Sequence, residues 1–118
     1  MLRELTLQRP GLLAALAKTK TALVVPAFEI SLLHALPKSQ STLATLVNSK
    51  AASPFHEAHF PKGHAPTDSA RWMRAAALFV VDYHDYYEPY IIASRAWLPR
   101  YDERFRGYGM NKVPIYMY

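Results

Sequence analysis

The sequence predicts an α/β or α+β layer architecture. Three observations carry this. Short apolar runs rich in β-branched residues alternate with stretches of helical spacing. Prolines stand where helices would open and where strands would end. Half of the residues are hydrophobic, 51% of 118, so the chain can bury a core and is one domain or part of one.

Taken in order, residues 1–20 form an N-terminal helical segment, with Leu12, Leu13 and Leu16 on one stripe. Pro10 suits its first turn, and Lys18 and Lys20 suit its C-terminus. Ala22–Glu29 (ALVVPAFE) reads as a buried strand that proline ends, its unbroken apolarity typical of a sheet covered on both faces. Pro37 opens a second helix over roughly 38–50, with Leu43, Leu46 and Val47 facing inward. Residues 51–66 hold three prolines, three histidines and a glycine, and read as a loop without regular structure. Thr67 and Asp68 cap and start a helix through Ala76, with Trp72, Met73 and Ala76 on its inner face. Leu78–Val81 and Tyr90–Ala93 read as strands, joined by an acidic and aromatic segment, Asp82–Glu88.

The formal net charge of +5 favours anionic partners such as phosphorylated sugars, acidic glycans or nucleic acid. The cations are dispersed and make no basic run, which argues against a nucleic-acid patch. Cysteine is absent, so the redox compartment is left open. No apolar run is long enough to span a bilayer, and Glu4 and Pro10 do not suit a signal peptide. The chain itself therefore carries no targeting signal.

Chemistry concentrates in Tyr101–Lys112 (YDERFRGYGMNK), which mixes carboxylates, cations and aromatics with two glycines. Gly107 and Gly109 flank Tyr108, a pattern suited to backbone that approaches a ligand closely. Asp102 and Glu103 are adjacent and point apart on a regular element, so they do not form a shared-proton dyad. One of them can serve as a general base or accept from a substrate hydroxyl, while the other pairs with Arg104 or Arg106. His56-Glu57-Ala58-His59 falls short of a zincin motif, because its histidines are three apart rather than four. Lys62–Thr67 is a turn feeding a helix start, where Lys62 and His64 add charge or donors for an anion, or where Thr67 merely caps. Trp72 and Trp97 read as core. Tyr83, Tyr86, Tyr87 and Tyr90 either stack on sugar rings or seal a sheet edge.

Five blocks together resemble one family, the LARGE-type glycosyltransferases that build glycan on dystroglycan. They are Ala22–Glu29 (ALVVPAFE), Pro37-Lys38 with the leucines after it, Lys62–Trp72 (KGHAPTDSARW), Tyr87–Ile91 (YEPYI) and Tyr101–Val113 (YDERFRGYGMNKV). The resemblance implies a GT-A fold, a mixed sheet between helices that binds a nucleotide sugar. Residues 21–118 would then be a partial GT-A domain, its C-terminal portion. It implies transfer of glucuronic acid or xylose from a UDP-sugar to a glycan acceptor, with inversion, a manganese ion, and residence in the Golgi lumen.

Two departures from the pattern bear on activity. No aspartate precedes Asp68, so the Asp-x-Asp metal motif expected before ALVVPAFE is missing. The late histidine that helps hold the metal would lie beyond Tyr118. No metal ligand is therefore assigned here, and the expectation is a fragment inactive alone, in need of the missing half of the catalytic domain. The Gly-aromatic-Gly turn is followed by Asn111 and Lys112, where the wider GT-A pattern has Glu-Asp with the acid as base. Asp102 is then the candidate catalytic base. His64, Arg71, Glu88, Glu103, Arg104, Gly107, Gly109, Asn111 and Lys112 are the candidate substrate-binding residues, with Lys112 and Arg104 suited to an acidic sugar or the diphosphate. The alternative is a non-catalytic module that binds acidic glycan.

Overall fold

A computed structural model describes residues 11–101, 103, 104 and 106. Within these residues the elements run α1 (Leu12–Lys18), β1 (Leu23–Val24), β2 (Phe28–Ile30), α2 (Gln40–Asn48), β3 (Ala52–Pro54), α3 (Pro61–His64), a 3-10 turn (Ala65–Thr67), α4 (Ser69–Arg74) and β4 (Ile91–Ile92). The small mixture of helices and two-stranded antiparallel sheets fits the expected α/β class. The described residues divide into two compact units, one of residues 11–25 with those from 91 on, the other Pro26–Tyr90.

In the first unit β1 pairs antiparallel with β4, Leu23 opposite Ile92 and Val24 opposite Ile91. Both strands come from predicted apolar runs, but each is only two residues long. Helix α1 buries Leu16 and carries Lys18 in its last turn, where a cation meets the negative end of the helix dipole. Residues 1–10 of the predicted N-terminal helical segment lie outside the described residues.

In the second unit β2 and β3 pair antiparallel, with Phe28 opposite Pro54, Glu29 opposite Ser53 and Ile30 opposite Ala52. The ladder continues through Ser31 N–H to the Ala51 carbonyl and Phe55 N–H to the Ala27 carbonyl, both 3.0 Å. The predicted Ala22–Glu29 strand is thus two strands, split around Pro26, which has no N–H for a ladder. Helix α2 starts at Ser39, whose hydroxyl accepts from the Thr42 N–H at 3.1 Å. It packs on β3, burying Leu43 and Ala52. The Gln40 side chain donates to the Trp72 carbonyl, and Phe28 meets the Trp72 ring at 5.9 Å, which ties α2 and the sheet to α4.

Three expectations are corrected. Residues 51–66 are not structureless. Pro54 ends a short strand, Pro61 opens α3 at a position whose N–H would have no helical partner anyway, and Pro66 sits within the first residues of the 3-10 turn. Leu78–Val81 makes no strand, and Leu78 and Val80 are 58% and 85% exposed. A β-branched run without a neighbouring strand has no ladder to join. Helix α4 begins one residue later than predicted, at Ser69, because Asp68 and not Thr67 is its cap, and it ends at Arg74. Thr67 is buried instead.

Candidate functional site

The site grows from the way the 61–67 helical segment is fastened to the 84–88 turn. Gly63 is buried where an added β-carbon would run into the Phe60 ring, so any side chain there requires that ring to shift. Its carbonyl accepts from the Glu88 N–H at 2.9 Å. Four residues on, the Thr67 hydroxyl meets the Tyr87 hydroxyl at 2.7 Å in a buried setting. Tyr87 is 2% exposed, and its N–H closes a turn onto the His84 carbonyl at 3.0 Å. Burial pushes the Tyr87 phenol up from its ordinary value, partly opposed by its hydrogen bond with Thr67.

This fastening leaves an open groove of about 640 Å³ lined by Pro61, Lys62, Ala65, Pro66, His84, Asp85 and Tyr86. Its polar groups are an ammonium, an imidazole, a carboxylate and a phenol, an arrangement able to meet both hydroxyls and an apolar face. Tyr86 stands at φ 69°, in the left-handed region that a bulky side chain enters only under constraint. The residue is 49% exposed, with the Lys62 ammonium 5.9 Å from the ring centre.

Beside the groove's framework the histidines gather on aromatic faces. The His56 ring stacks on Phe55 at 4.0 Å and 12°, and its Nε2 lies 3.7 Å from a Glu29 carboxylate oxygen. His64 stands edge-on to Phe55 at 5.0 Å and lies nearly parallel to Tyr90 at 6.3 Å. His59 approaches His56 at 6.2 Å. The imidazoles thus pack as rings, and among the described residues no three His, Cys, Asp or Glu side chains gather to hold a metal ion.

Of the substrate-binding candidates read from the sequence, three lie in the second unit. His64 is half-buried in the aromatic cluster. Arg71 places its guanidinium over the Phe79 ring at 4.1 Å, and its N–H donates to the Asp68 cap at 3.0 Å. Glu88 is half-buried and contributes its backbone N–H to Gly63. Glu103 and Arg104 are exposed in the first unit. Asp102, Gly107, Gly109, Asn111 and Lys112 lie outside the described residues. The structure adds His84 and Asp85, and brings them into one groove with Lys62 and Tyr86, which the sequence had already singled out. The available signal was the density of acids and aromatics over Asp82–Glu88, which is unusual for a plain connection.

Comparison with known proteins places this geometry in context. A family model described as a glycosyl-transferase for dystroglycan matches residues 1–117. The chain is 44% identical to the mouse protein named xylosyl- and glucuronyltransferase LARGE2 over 100 residues, 82% of this chain and 14% of that protein. It is 44% identical to its human counterpart over 98 residues. It is 39% identical to mouse xylosyl- and glucuronyltransferase LARGE1 over 99 residues, 83% of this chain and 13% of the relative. The chain therefore spans about one-seventh of the length of these relatives. Among the described residues no helix is long and apolar enough to cross a membrane.

Proposed function

Since the chain belongs to the family of glycosyl-transferases for dystroglycan, we propose that it is a portion of a sugar-transferring domain of GT-A type. In this reading it forms the C-terminal portion of such a domain and works on a UDP-sugar donor, glucuronic acid or xylose being the transferred sugar, with a glycan as acceptor. The single observation that carries the reading is the family match running through residues 1–117. The groove beside α3 supports it, because it offers an aromatic face, a carboxylate and two nitrogen groups in one place.

The chain's own residues would bind and orient rather than supply every element of the reaction. Asp102 is proposed as the group that takes the acceptor hydroxyl's proton, freeing the oxygen to attack the anomeric carbon as the bond to the diphosphate breaks. Arg104 and Lys112 are proposed to face the negative charge of the diphosphate or of an acidic sugar, and Asn111 with Glu103 to hold hydroxyls. Gly107 and Gly109 would let backbone approach the ligand. His64, Arg71 and Glu88 are proposed as further hydrogen-bonding partners.

No residue of this chain is proposed to hold the manganese ion that the family resemblance implies, and among the described residues no three His, Cys, Asp or Glu side chains gather. The reading assigns that ion to other ligands, and no step is derived through it. On this reading the chain alone does not turn over donor. The working location proposed with the activity is the Golgi lumen. The test is a transfer assay with UDP-glucuronic acid and with UDP-xylose, each with manganese and a saccharide acceptor. Absence of turnover by the isolated chain is expected. Turnover at the rate of a full-length relative would overturn the assignment of the metal to other ligands.

A further inference from the structure

Tyr86 poses a physical question that the fastening of Tyr87 does not answer. The turn must reverse at residue 86 so that Tyr87 can bury and meet Thr67. Glycine would take φ 69° freely, and asparagine or aspartate at small cost, whereas a β-carbon bearing a phenol ring is strained there. Full burial does not offset this strain, since the residue is about half exposed. What it does provide is one wall of the groove, opposite Lys62 and next to Asp85 in the chain.

We propose that the groove between α3 and the 84–87 turn is a pyranose subsite, in which the Tyr86 ring carries the sugar's flat C–H face and Lys62 and Asp85 take its hydroxyls. The carbohydrate class rests on the function proposed above. The residues come from the groove itself. The electron-rich face of a phenol ring attracts the slightly positive C–H bonds of a pyranose. A carboxylate accepts from vicinal hydroxyls, and an ammonium donates to the ring oxygen or to a hydroxyl. The Lys62 ammonium stands over the ring, 5.9 Å from its centre, so its flexible stem swings aside when a sugar stacks on that face and leaves the charge at the sugar's edge. The groove is open to solvent, so a sugar would lie against its wall rather than be enclosed. The strain at Tyr86 is held by three fixed points, the Tyr87–Thr67 hydroxyl pair, the Tyr87 N–H bond to His84 and the Glu88 N–H bond to Gly63. The platform is therefore set before any ligand arrives, which lowers the ordering cost of binding.

The test is saturation-transfer NMR of the whole chain with methyl β-D-xylopyranoside and methyl β-D-glucuronide, with sorbitol as a polyol that lacks the ring's flat face. Both glycosides should receive saturation at their C–H protons, and sorbitol should not. Tyr86→Phe should keep the affinity within about threefold, while Tyr86→Gly should weaken it about tenfold or more. Tyr86→Gly also relieves the left-handed strain, so its melting temperature should equal or exceed that of the parent, which separates lost binding from lost folding. No glycoside signal from the parent chain, or equal affinity in Tyr86→Gly, would overturn the subsite. So would loss of binding in Tyr86→Phe, since a stacking face survives that change. Failure here with sugar transfer intact in a hybrid enzyme carrying this segment would remove the subsite and leave the family reading standing.

Discussion

The hydroxyl of Tyr87 lies 2.7 Å from the hydroxyl of Thr67, twenty residues away along the chain and shielded from solvent. One of the two donates and the other accepts, and together they fasten the 84–88 turn to the end of the helical segment that carries Lys62. Removing one partner strands the other in a buried position. Tyr87→Phe or Thr67→Val should each cost about 1–3 kcal/mol, and the double variant should cost less than the sum. Urea unfolding of the four proteins measures the coupling.

The same pair makes stability depend on high pH. Burial raises the Tyr87 phenol above its ordinary value, so the folded chain keeps this proton after the unfolded chain has lost it. The contribution is complete below pH about 10, where both states are protonated. It falls as pH rises from there towards the folded-state value, because the unfolded state then binds fewer protons. Stability plotted against pH should slope downward above about 10 more steeply in the parent than in Tyr87→Phe.

Gly63 tests the packing that shapes the groove. Gly63→Ala drives a methyl group into the Phe60 ring and should destabilise by about 1–3 kcal/mol. Adding Phe60→Ala makes room for the methyl group, so the second change should cost less in the Gly63→Ala background than in the parent. Thermal unfolding of both single variants and the double variant checks the sign.

Asp68 combines two roles, capping α4 through the Arg71 N–H and standing at φ 50°. Asp68→Ala loses the cap and keeps the backbone strain, so it should cost about 1–2 kcal/mol. Asp68→Asn, which can cap and tolerates this backbone region, should cost well under 1 kcal/mol. The difference between the two melting curves measures the combined effect.

Much of the secondary structure was legible because its signals are local. Pro37 before a leucine-spaced stretch marks α2, although the helix starts only after the Ser39 cap, and the apolar runs around Leu23, Phe28 and Ile91 mark strands. What escaped depends on partners distant in sequence. Proline density over 51–66 looked like a loop, yet each proline occupies a place where its missing N–H costs little. The Leu78–Val81 run had the composition of a strand but no neighbour to pair with. The tyrosine cluster was recognised as either sugar platform or seal, and the structure separates its members. Tyr87 is buried, whereas Tyr86 next to it is held outward by a positive φ that no local pattern announces. Of the most chemically dense stretch, Asp102, Phe105 and everything after Arg106 lie outside the described residues, so those assignments rest on resemblance.

The account stands most directly on whether this segment can serve inside a sugar transferase. Its 100 aligned residues can replace the matching stretch of the mouse LARGE2 relative, to which they are 44% identical. The hybrid, purified and shown to be folded, is then assayed for glucuronyl and xylosyl transfer, with and without Asp102→Asn. The account predicts that one of these transfers survives in the hybrid and falls about 100-fold or more with Asp102→Asn. A folded hybrid that binds UDP-sugar yet transfers neither sugar would contradict it.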